Sequence, residues 1–326
     1  MRILLWSVKL FISASFAAVS YTATFAADAF PVKPVRLITA VSAGSTGDVL
    51  ARLLANELST TWGQRVIVEN RPGSGGIVAA QAMLNSPADG YAIFFGSGNS
   101  LTIAQSMYTK LPYNVEKDFS PVALVAEIPL IMAIGPGLPV RNLKELIDYA
   151  KKNPGKMNYG ATGVGSVLHL SGALLMSQTG LDMTYVPYPG IAQALPDVAS
   201  GRVDMLIEAG PGLSGPVKAG QLRPIAVTSN KRMSIYPDVA AISEVIPGYS
   251  STGFYMLVAN KLAPESISRQ IHAAVVQVLS KPEMAARLNE LGNEIRPVPF
   301  DELPGYLRRD RDLWAPVVRR LGIAEK

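Results

Sequence analysis

The sequence predicts an α/β protein built as two lobes, each with a mixed, mainly parallel sheet flanked by helices. Short apolar runs alternate with amphipathic helical patterns over residues 35–95, and the alternation starts again near residue 143. No flexible linker separates these two blocks. With 326 residues, of which 48% are hydrophobic and 17% charged, the chain can bury two cores of ordinary size.

The first block has the order strand, helix, strand, helix, strand. We predict strands at Val35–Val41, Val66–Glu69 and Tyr91–Phe95, a helix with apolar residues at helical spacing from Val49 to Leu58, and an alanine-rich helix ending at Leu84. This order is typical of right-handed βαβ units with parallel strands.

The second block repeats the scheme. We predict helices at Leu143–Lys151, Val167–Ser177 and Gln193–Ala199, and strands at Met157–Tyr159, Thr184–Val186, Asp204–Ile207 and Ile225–Thr228. The tail from Pro264 to Leu321 is predicted to be almost wholly helical, with Pro264 and Pro282 at helix starts.

Two long apolar runs are predicted to connect the blocks. Residues 122–134 would form the outgoing strand and residues 255–258 the return. Lobe I would then consist of residues 27–125 plus 253–326, and lobe II of residues 126–252. A cleft between the lobes, lined by loops at the carboxyl ends of parallel strands, is where such sheets bind ligands.

The N-terminus has the features of a secretory signal peptide. Arg2 and Lys9 precede a largely apolar run over residues 10–19, and small residues follow up to Ala26. We therefore predict that residues 1–26 are removed and that the mature chain, beginning near Ala27, is periplasmic. The run is shorter than the ~18 apolar residues of a membrane-spanning helix. The chain has no cysteine, which excludes disulfides, thiolate metal sites and a lipid-modified cysteine.

The charge pattern argues against a nucleic-acid partner. The formal net charge is +5 at pH 7, and it falls by two when Arg2 and Lys9 leave with the signal peptide. The remaining basic residues are dispersed, without the concentrated stripe and stacking aromatics that nucleic acids require. Only two histidines occur, so we expect neither a metal nor a cofactor.

Small residues follow the first predicted strand in the loop from Ser42 to Asp48 and lead into a helix. Such a loop exposes backbone N–H groups beside the positive helix end, which favours a bound phosphate or carboxylate. The alternative is an ordinary turn capped by Thr46 or Asp48. The loop lacks the Lys of a Walker loop and the glycine spacing of a dinucleotide fingerprint. A singly charged carboxylate is therefore the favoured anion.

A second loop of the same kind, Thr162 to Ser166, precedes a helix of the other lobe. Alone, it has the same alternative, an N-cap at Ser166. Two helix N-termini facing one cleft can hold the two ends of one acid, and this pairing favours binding. His169 follows on the first turn, where we favour structural support over a catalytic or metal-ligating role.

Three further side chains each have two interpretations. Arg71 can fork a ligand carboxylate, but we favour an ion pair with Glu69 or Asp89 that fixes its loop. Tyr188 offers a flat face and a hydroxyl to an organic acid, or belongs to the core. Glu208 accepts a hydrogen bond from the ligand, or is a solvated strand end.

Six long stretches carry a resemblance to a known family: "FPVKPVRLI" (30–38), "VIVENRPGSGG" (66–76), "PADGYAIFFGSGNS" (87–100), "LPYNVEKDFSPVALVA" (111–126), "YVPYPGIAQALPDVASGRVD" (185–204) and "LRPIAVTSNKRMSIYPDV" (222–239). Over essentially its whole mature length the chain resembles the Bug-type solute receptors of the tripartite tricarboxylate transporter systems.

The resemblance implies a type II periplasmic-binding-protein fold that closes on a small mono-, di- or tricarboxylate, aromatic acids included, and delivers it to an inner-membrane permease. We expect such a receptor to be monomeric and non-catalytic. The family's contacts fall by position on Ser45, Thr46, Gly47, Ser97, Asn99, Gly165, Ser166, His169, Tyr188, Gly190 and Ala192, to which we add Glu208 at a probable cleft edge.

Two alternatives stay open from the sequence. An exported hydrolase on the same scaffold would use Ser166 and His169 as its reacting pair. A receptor of the same fold could also present its bound state to a sensor instead of a permease. The scarcity of catalytic constellations favours the transport receptor.

Overall fold

The computed structural model describes residues 30–324. The predicted signal peptide, residues 1–26, lies outside this range. Within the range, no helix combines the length and the apolar character needed to span a bilayer.

The strands of the described chain form one continuous sheet. They are β1 (Val35–Thr39), β2 (Val66–Asn70), β3 (Ala92–Ser97), β4 (Phe119–Ile134), β5 (Met157–Thr162), β6 (Met183–Tyr188), β7 (Met205–Ala209), β8 (Arg223–Val227) and β9 (Thr252–Asn260). Their order is β2-β1-β3-β9-β4-β7-β5-β6, and β8 pairs with β4.

The long strand β4 divides the sheet into two halves. Its residues up to Pro129 pair with β9, whereas from Leu130 onward it pairs with β7 and β8. The first half contains parallel β2-β1-β3 and the second parallel β6-β5-β7, each joined to antiparallel strands. The predicted mixed α/β architecture is therefore confirmed, but its sheet is not mainly parallel as expected, because four strand pairs of the described chain are parallel and four are antiparallel. The lobe boundaries stay a prediction, which the change of partner within β4 supports.

Helices cover both faces of the sheet. They are α1 (Thr46–Trp62), α2 (Ile77–Leu84), α3 (Ala104–Met107), α4 (Val115–Asp118), α5 (Leu143–Lys152), α6 (Val167–Thr179), α7 (Ile191–Ala199), α8 (Gly210–Lys218), α9 (Glu265–Leu279), α10 (Pro282–Glu290) and α11 (Leu303–Leu321). In α1, for example, Leu50, Leu54 and Leu58 recur every four residues and are fully buried, and left-handed Gly63 ends the helix.

The predicted helices and strands are present, with four departures, of which the single-turn helix α4 is the smallest. Helix α8 was not predicted, because its Gly and Pro residues read as a turn; Pro211 stands in its first turn, where a missing N–H costs no hydrogen bond. The predicted loop at 96–100 instead enters a π-helical turn, Asn99–Ile103, that continues into α3. Residues 291–299 interrupt the helical tail.

The C-terminal helix α11 packs on both halves of the molecule. Its first turns contribute Leu303, Tyr306 and Leu307 to a core cluster of the first half, and its last turns contribute Trp314, Val317 and Val318 to the core of the second. The middle of α11 is thereby held beside the junction of the two halves.

Candidate functional site

A cavity of about 410 Å³ lies at the junction of the two halves. Its wall comprises residues 40–42, 72–76, 97–99 and 252–255, together with Ile103, Ile128, Val167, Asp310 and Trp314. The first three segments follow the carboxyl ends of β1, β2 and β3, the edge at which open α/β sheets bind ligands. Val167 contributes the first turn of α6 from the second half.

The Gly73–Gly76 loop contributes a run of left-handed backbone to the cavity wall. Ser74, Gly75 and Gly76 all have positive φ, at 45°, 62° and 104°, and such runs of left-handed backbone turn successive N–H groups to one side. Among described residues, the N–H groups of Ser74 and Gly75 have no protein acceptor. Glycine is required at position 76, because a Cβ there would lie 2.7 Å from Ser100 Cβ.

The wall mixes apolar and polar groups and contains no cationic side chain. No Lys, Arg or His is among the lining residues in the described chain, and its ionisable members are Asp310 and Tyr255. Burial raises the pKa of Tyr255 to about 12, so its phenol is neutral. Any anion bound here is therefore stabilised by backbone and hydroxyl dipoles.

Two of the predicted contacts, Ser97 and Asn99, lie in the cavity wall. Asn99 also bridges the halves, because its Oδ1 accepts a hydrogen bond from the N–H of Val167 at 3.3 Å. A neighbouring hollow of about 250 Å³ shares Asn99 with the cavity and is lined by predicted contacts Gly165 and Ser166. The structure thus brings together the predicted residues of β3 and of the second loop.

The first predicted loop reaches the cavity wall at Ser42, whereas its predicted contacts Ser45, Thr46 and Gly47 do not line the cavity. Ser45 is the N-cap of α1, since its Oγ accepts from the N–H of Asp48 at 3.3 Å; the expected caps Thr46 and Asp48 are wrong, because both already lie inside the helix. Thr46 and Gly47 occupy its first two positions, where N–H groups have no acceptor within the helix. A Cβ at Gly47 would collide with the Tyr255 hydroxyl.

Asp48 is buried behind this loop and satisfied by three donors. It accepts from the Gly44 N–H at 2.9 Å, from Arg52 Nε at 3.0 Å and from Asn70 Nδ2 at 2.8 Å. Burial alone would raise the pKa of Asp48, but these hydrogen bonds outweigh it, so the pKa is lowered. The negative charge therefore offsets the positive end of α1 itself.

Replacing Asp48 with Asn should lower the free energy of unfolding by about 1–2 kcal/mol, because one amide cannot accept from all three donors. Urea unfolding at pH 7 measures this loss. Asp148→Asn, at an exposed position on α5, is the control and should change stability by less than about 0.5 kcal/mol. Equal stability of the two variants would contradict the role assigned to Asp48.

At the second loop, His169 accepts a hydrogen bond from a glycine N–H, as Asp48 does at the first. Its Nδ1 accepts from the Gly165 N–H at 3.0 Å, and its ring stacks on Tyr185 with centroids 3.8 Å apart. The ring is buried, and burial lowers its pKa to about 4. His169 is thus neutral at pH 7, with its proton on Nε2. These contacts favour the structural interpretation.

Both loops therefore share one capping device. Each has a Gly-Ser pair followed by an acceptor three residues after the serine, Asp48 in α1 and His169 in α6, that reaches back to the glycine N–H. Ser166 is the N-cap of α6, accepting from the His169 N–H at 3.3 Å. The difference is charge: the acceptor is anionic in α1 and neutral in α6.

The hydrolase pairing of Ser166 with His169 is not present. Ser166 Oγ donates to the Thr162 carbonyl at 2.6 Å and contacts the backbone of His169, while the imidazole Nδ1 is occupied by Gly165. A nucleophile needs a hydrogen bond to the side chain of its base. Ser166 Oγ and His169 Nδ1 are each bonded to another group, and no hydrogen bond joins the two side chains.

The remaining predicted contacts lie at the carboxyl ends of β6 and β7 and line neither hollow. Tyr188 donates its hydroxyl to Asp197 Oδ2 at 2.7 Å, so its polar group is already engaged. Gly190 is the N-cap of α7, and exposed Ala192 lies in its first turn. Glu208 is half-buried, accepts from the Ala209 N–H, and has a pKa raised by burial. Ligand contact by these residues stays a prediction.

Arg71 lies outside the cavity wall and pairs with Glu69 at 3.5 Å. Glu69 is also held by Arg36, at 2.6 Å. The favoured ion-pair interpretation is therefore confirmed for Glu69, whereas the alternative partner Asp89 is wrong, because Asp89 pairs with Lys33.

Asp310 and Trp314 were not predicted, although both line the cavity. They stand one turn apart on α11, more than 200 residues from the loops they face. The available signal was a Trp on the apolar stripe of an otherwise highly charged helix. That signal predicts burial but does not indicate a cavity. The described residues contain no cluster of potential metal ligands.

Known proteins resemble this chain over nearly its whole length. The profile of the family described as "TctC: Tripartite tricarboxylate transporter family receptor" matches residues 50–322. Protein BugT of Bordetella pertussis (strain Tohama I) is 30% identical over 309 residues, 94% of each chain.

Solved structures, including that of a periplasmic binding protein, are also similar to this chain over nearly its whole length. A protein of R. palustris solved with adipate has a TM-score of 0.79 and 32% identity, covering 90% of this chain and 99% of that one. MatC from Rhodopseudomonas palustris with bound malate has a TM-score of 0.73 and 29% identity, covering 89% and 100%. The periplasmic binding protein BugD has a TM-score of 0.75 and 27% identity, covering 91% and 100%.

These matches confirm the resemblance to the Bug-type receptors and the periplasmic-binding-protein fold. The expectation that the chain is not an enzyme is confirmed by membership in a family of binding proteins. This chain belongs to the TctC family of tripartite tricarboxylate transporter receptors, a family of periplasmic solute-binding proteins.

Proposed function

We propose that the protein captures one small organic carboxylate in the cavity between the two halves and delivers it to the membrane permease of a tripartite tricarboxylate transporter. The observation that carries this proposal is the cavity wall, which offers unpaired N–H groups at Ser74 and Gly75 and no cationic side chain. Such a wall suits the modest charge of a carboxylate better than that of a phosphate ester.

The second half supports a second contact point. Helix α6 points its N-terminus at the hollow that adjoins the cavity, and its capping acceptor His169 is neutral. The positive end of α6 is therefore not offset by a fixed charge, in contrast to α1 with Asp48. This arrangement suits an acid with a second polar or anionic end. Two relatives solved with adipate and malate support a dicarboxylate.

The same proposal includes the location and the division of the chain. Residues 1–26 would direct export and be removed, leaving the receptor in the periplasm as a monomer. Residues 27–125 with 253–326 and residues 126–252 would act as the two lobes. The apolar leader sequence and the change of strand partner at residues 129–130 support this division.

The proposal can be tested by thermal shift and calorimetry on the mature protein. The panel of ligands is adipate, malate, succinate, benzoate and nicotinate. Ligand at 100 times its dissociation constant should stabilise the fold by about 2.7 kcal/mol. A protein that binds none of these acids, nor citrate or glutamate, would contradict the proposed function.

A matched pair of variants tests whether the acid binds in this cavity. Ser42→Glu places a negative charge in the wall, whereas Ala43→Glu places it on the next exposed residue, which is not in the wall. We expect the first variant to weaken binding at least tenfold and the second to change it by less than threefold, because exposed charges are screened by solvent. Equal effects would place the acid elsewhere.

A further inference from the structure

Asp310 brings a carboxyl group into the wall of the cavity. It lies on α11 one turn before Trp314, whose Nε1 donates to Asp310 Oδ1 at 3.2 Å. Its other oxygen, Oδ2, lies 2.5 Å from Thr102 Oγ1. An ionised Asp310 would repel an anionic ligand, and no cation among the described lining residues offsets it.

Counting protons shows which form of Asp310 fits its surroundings. Thr102 Oγ1 lies within hydrogen-bonding distance of both Asp310 Oδ2 and the Gly98 carbonyl, which is 2.8 Å away, but the hydroxyl has only one proton. If Asp310 is protonated, it donates to Thr102 and Thr102 donates to Gly98. If Asp310 is ionised, Thr102 must donate to it, and the Gly98 carbonyl loses this donor. Because Gly98 lines the cavity, the protonated form of Asp310 is the one in which this carbonyl of the wall keeps its hydrogen-bond donor.

The groups that face Asp310 add little positive charge. Glu127 on β4 acts on it as a like charge, and this carboxylate is itself paired with Arg296 and accepts from the Tyr306 hydroxyl. Strand β9 contributes neutral Tyr255 to the same wall. The packed segment 99–107 has no ionisable side chain.

Helix α6 contributes only His169, which is neutral at pH 7. Burial raises the pKa of Asp310 to about 6, with Glu127 adding to the rise and the hydrogen bonds from Thr102 and Trp314 opposing it. The free protein is therefore largely ionised at this position at pH 7 and largely neutral at pH 5.

We propose that ligand binding is coupled to a proton: when a carboxylate enters the cavity, Asp310 takes up a proton and holds it while the ligand stays bound. This inference rests on the proposed function. A second negative charge in the cavity disfavours the ionised form of Asp310 and so drives the uptake. Affinity should fall by up to about tenfold per pH unit above pH 6 and level off below pH 5.

Calorimetry on the mature protein measures the proton directly. The probe is whichever acid of the panel binds most tightly, titrated at pH 7 in phosphate, HEPES and Tris buffers, whose ionisation enthalpies differ. Wild type should take up between one half and one proton per ligand. Asp310→Asn should bind without uptake and lose the pH dependence, because its amide can donate to Thr102 and accept from Trp314 permanently.

Asp312→Asn is the control on the same helix, because Asp312 is exposed and pairs with Arg311 outside the cavity. This variant should keep the uptake and the pH profile of wild type. Absence of uptake in wild type, or equal uptake in Asp310→Asn, would overturn the inference while leaving the receptor function intact. Absence of any binding would instead refute the function on which the inference rests.

A second measurement needs no ligand. The indole N–H of Trp314 contacts Asp310, so its proton resonance should titrate with a midpoint near pH 6 in the free protein. Trp62→Phe leaves Trp314 as the sole tryptophan of the mature chain, which begins near residue 27. A resonance that shows no transition between pH 4.5 and 8, or one unchanged by Asp310→Asn, would contradict the proposal.

Discussion

Replacing Trp314 with Ala should lower the free energy of unfolding by about 3–5 kcal/mol, the range for removing a fully buried large aromatic side chain. Trp314 is 1% exposed, packs in the core of the second half, and donates its Nε1 to Asp310. The loss combines a cavity in the core with an Asp310 that has lost one of its two donors. Urea unfolding at pH 7, with the midpoint and slope fitted separately, gives the value.

Trp314→Phe separates these two contributions. Phenylalanine refills most of the volume but cannot donate to Asp310, so we expect a loss of about 1–3 kcal/mol. Trp62→Phe serves as the control at a position outside this core. If Trp314→Ala cost less than about 1 kcal/mol, the packing of α11 against the second half would be wrong.

His169 should make the protein sensitive to acid. Its pKa is about 4 in the folded state, where burial opposes the charge, and 6.5 in the unfolded chain. Between these values the unfolded chain binds more protons, so the stabilisation is fully present above pH 6.5 and lost as the pH falls toward 4. The difference corresponds to about 3 kcal/mol.

The prediction is tested by the difference between wild type and His169→Gln, measured as free energies of unfolding from pH 7.5 to pH 4. Glutamine can still accept from the Gly165 N–H but does not titrate, so the two curves should converge or cross as the pH falls. Comparing variants also removes the contribution of Asp310, whose raised pKa has the opposite sign and favours the folded state at low pH. Parallel curves for His169→Gln would refute the prediction.

The sequence predicted most helices and strands because their signals are local. Apolar residues recur every three or four positions in α1 and α11 and form continuous runs in the buried strands β4 and β9. Helix α8 was not predicted, because Pro and Gly usually end helices. In the structure Pro211 stands in the first turn of α8, where proline is tolerated.

The site was predictable only in part. The small residues of the loops after strands made these loops predictable. Whether a loop N–H is free for a ligand depends, however, on whether a nearby side chain accepts a hydrogen bond from it. Asp48 takes the N–H of Gly44 and His169 that of Gly165, and both follow their glycine by four residues. This spacing is visible in the sequence and indicates a capped loop. In the cavity wall, free N–H groups occur at Ser74 and Gly75, in the stretch 66–76 that resembles the Bug-type receptors.

Strands β4 and β9 have a consequence for how the molecule moves. They are paired from residue 119 to 129 and from 252 to 260, with two irregularities in register, before β4 enters the other half of the sheet. No flexible linker is present here that would allow one half to rotate freely against the other, since both connecting strands, β4 and β9, are part of a hydrogen-bonded ribbon. Such a ribbon yields by twisting, most easily at its bulges, so it opposes any change in the angle between the two halves of the sheet.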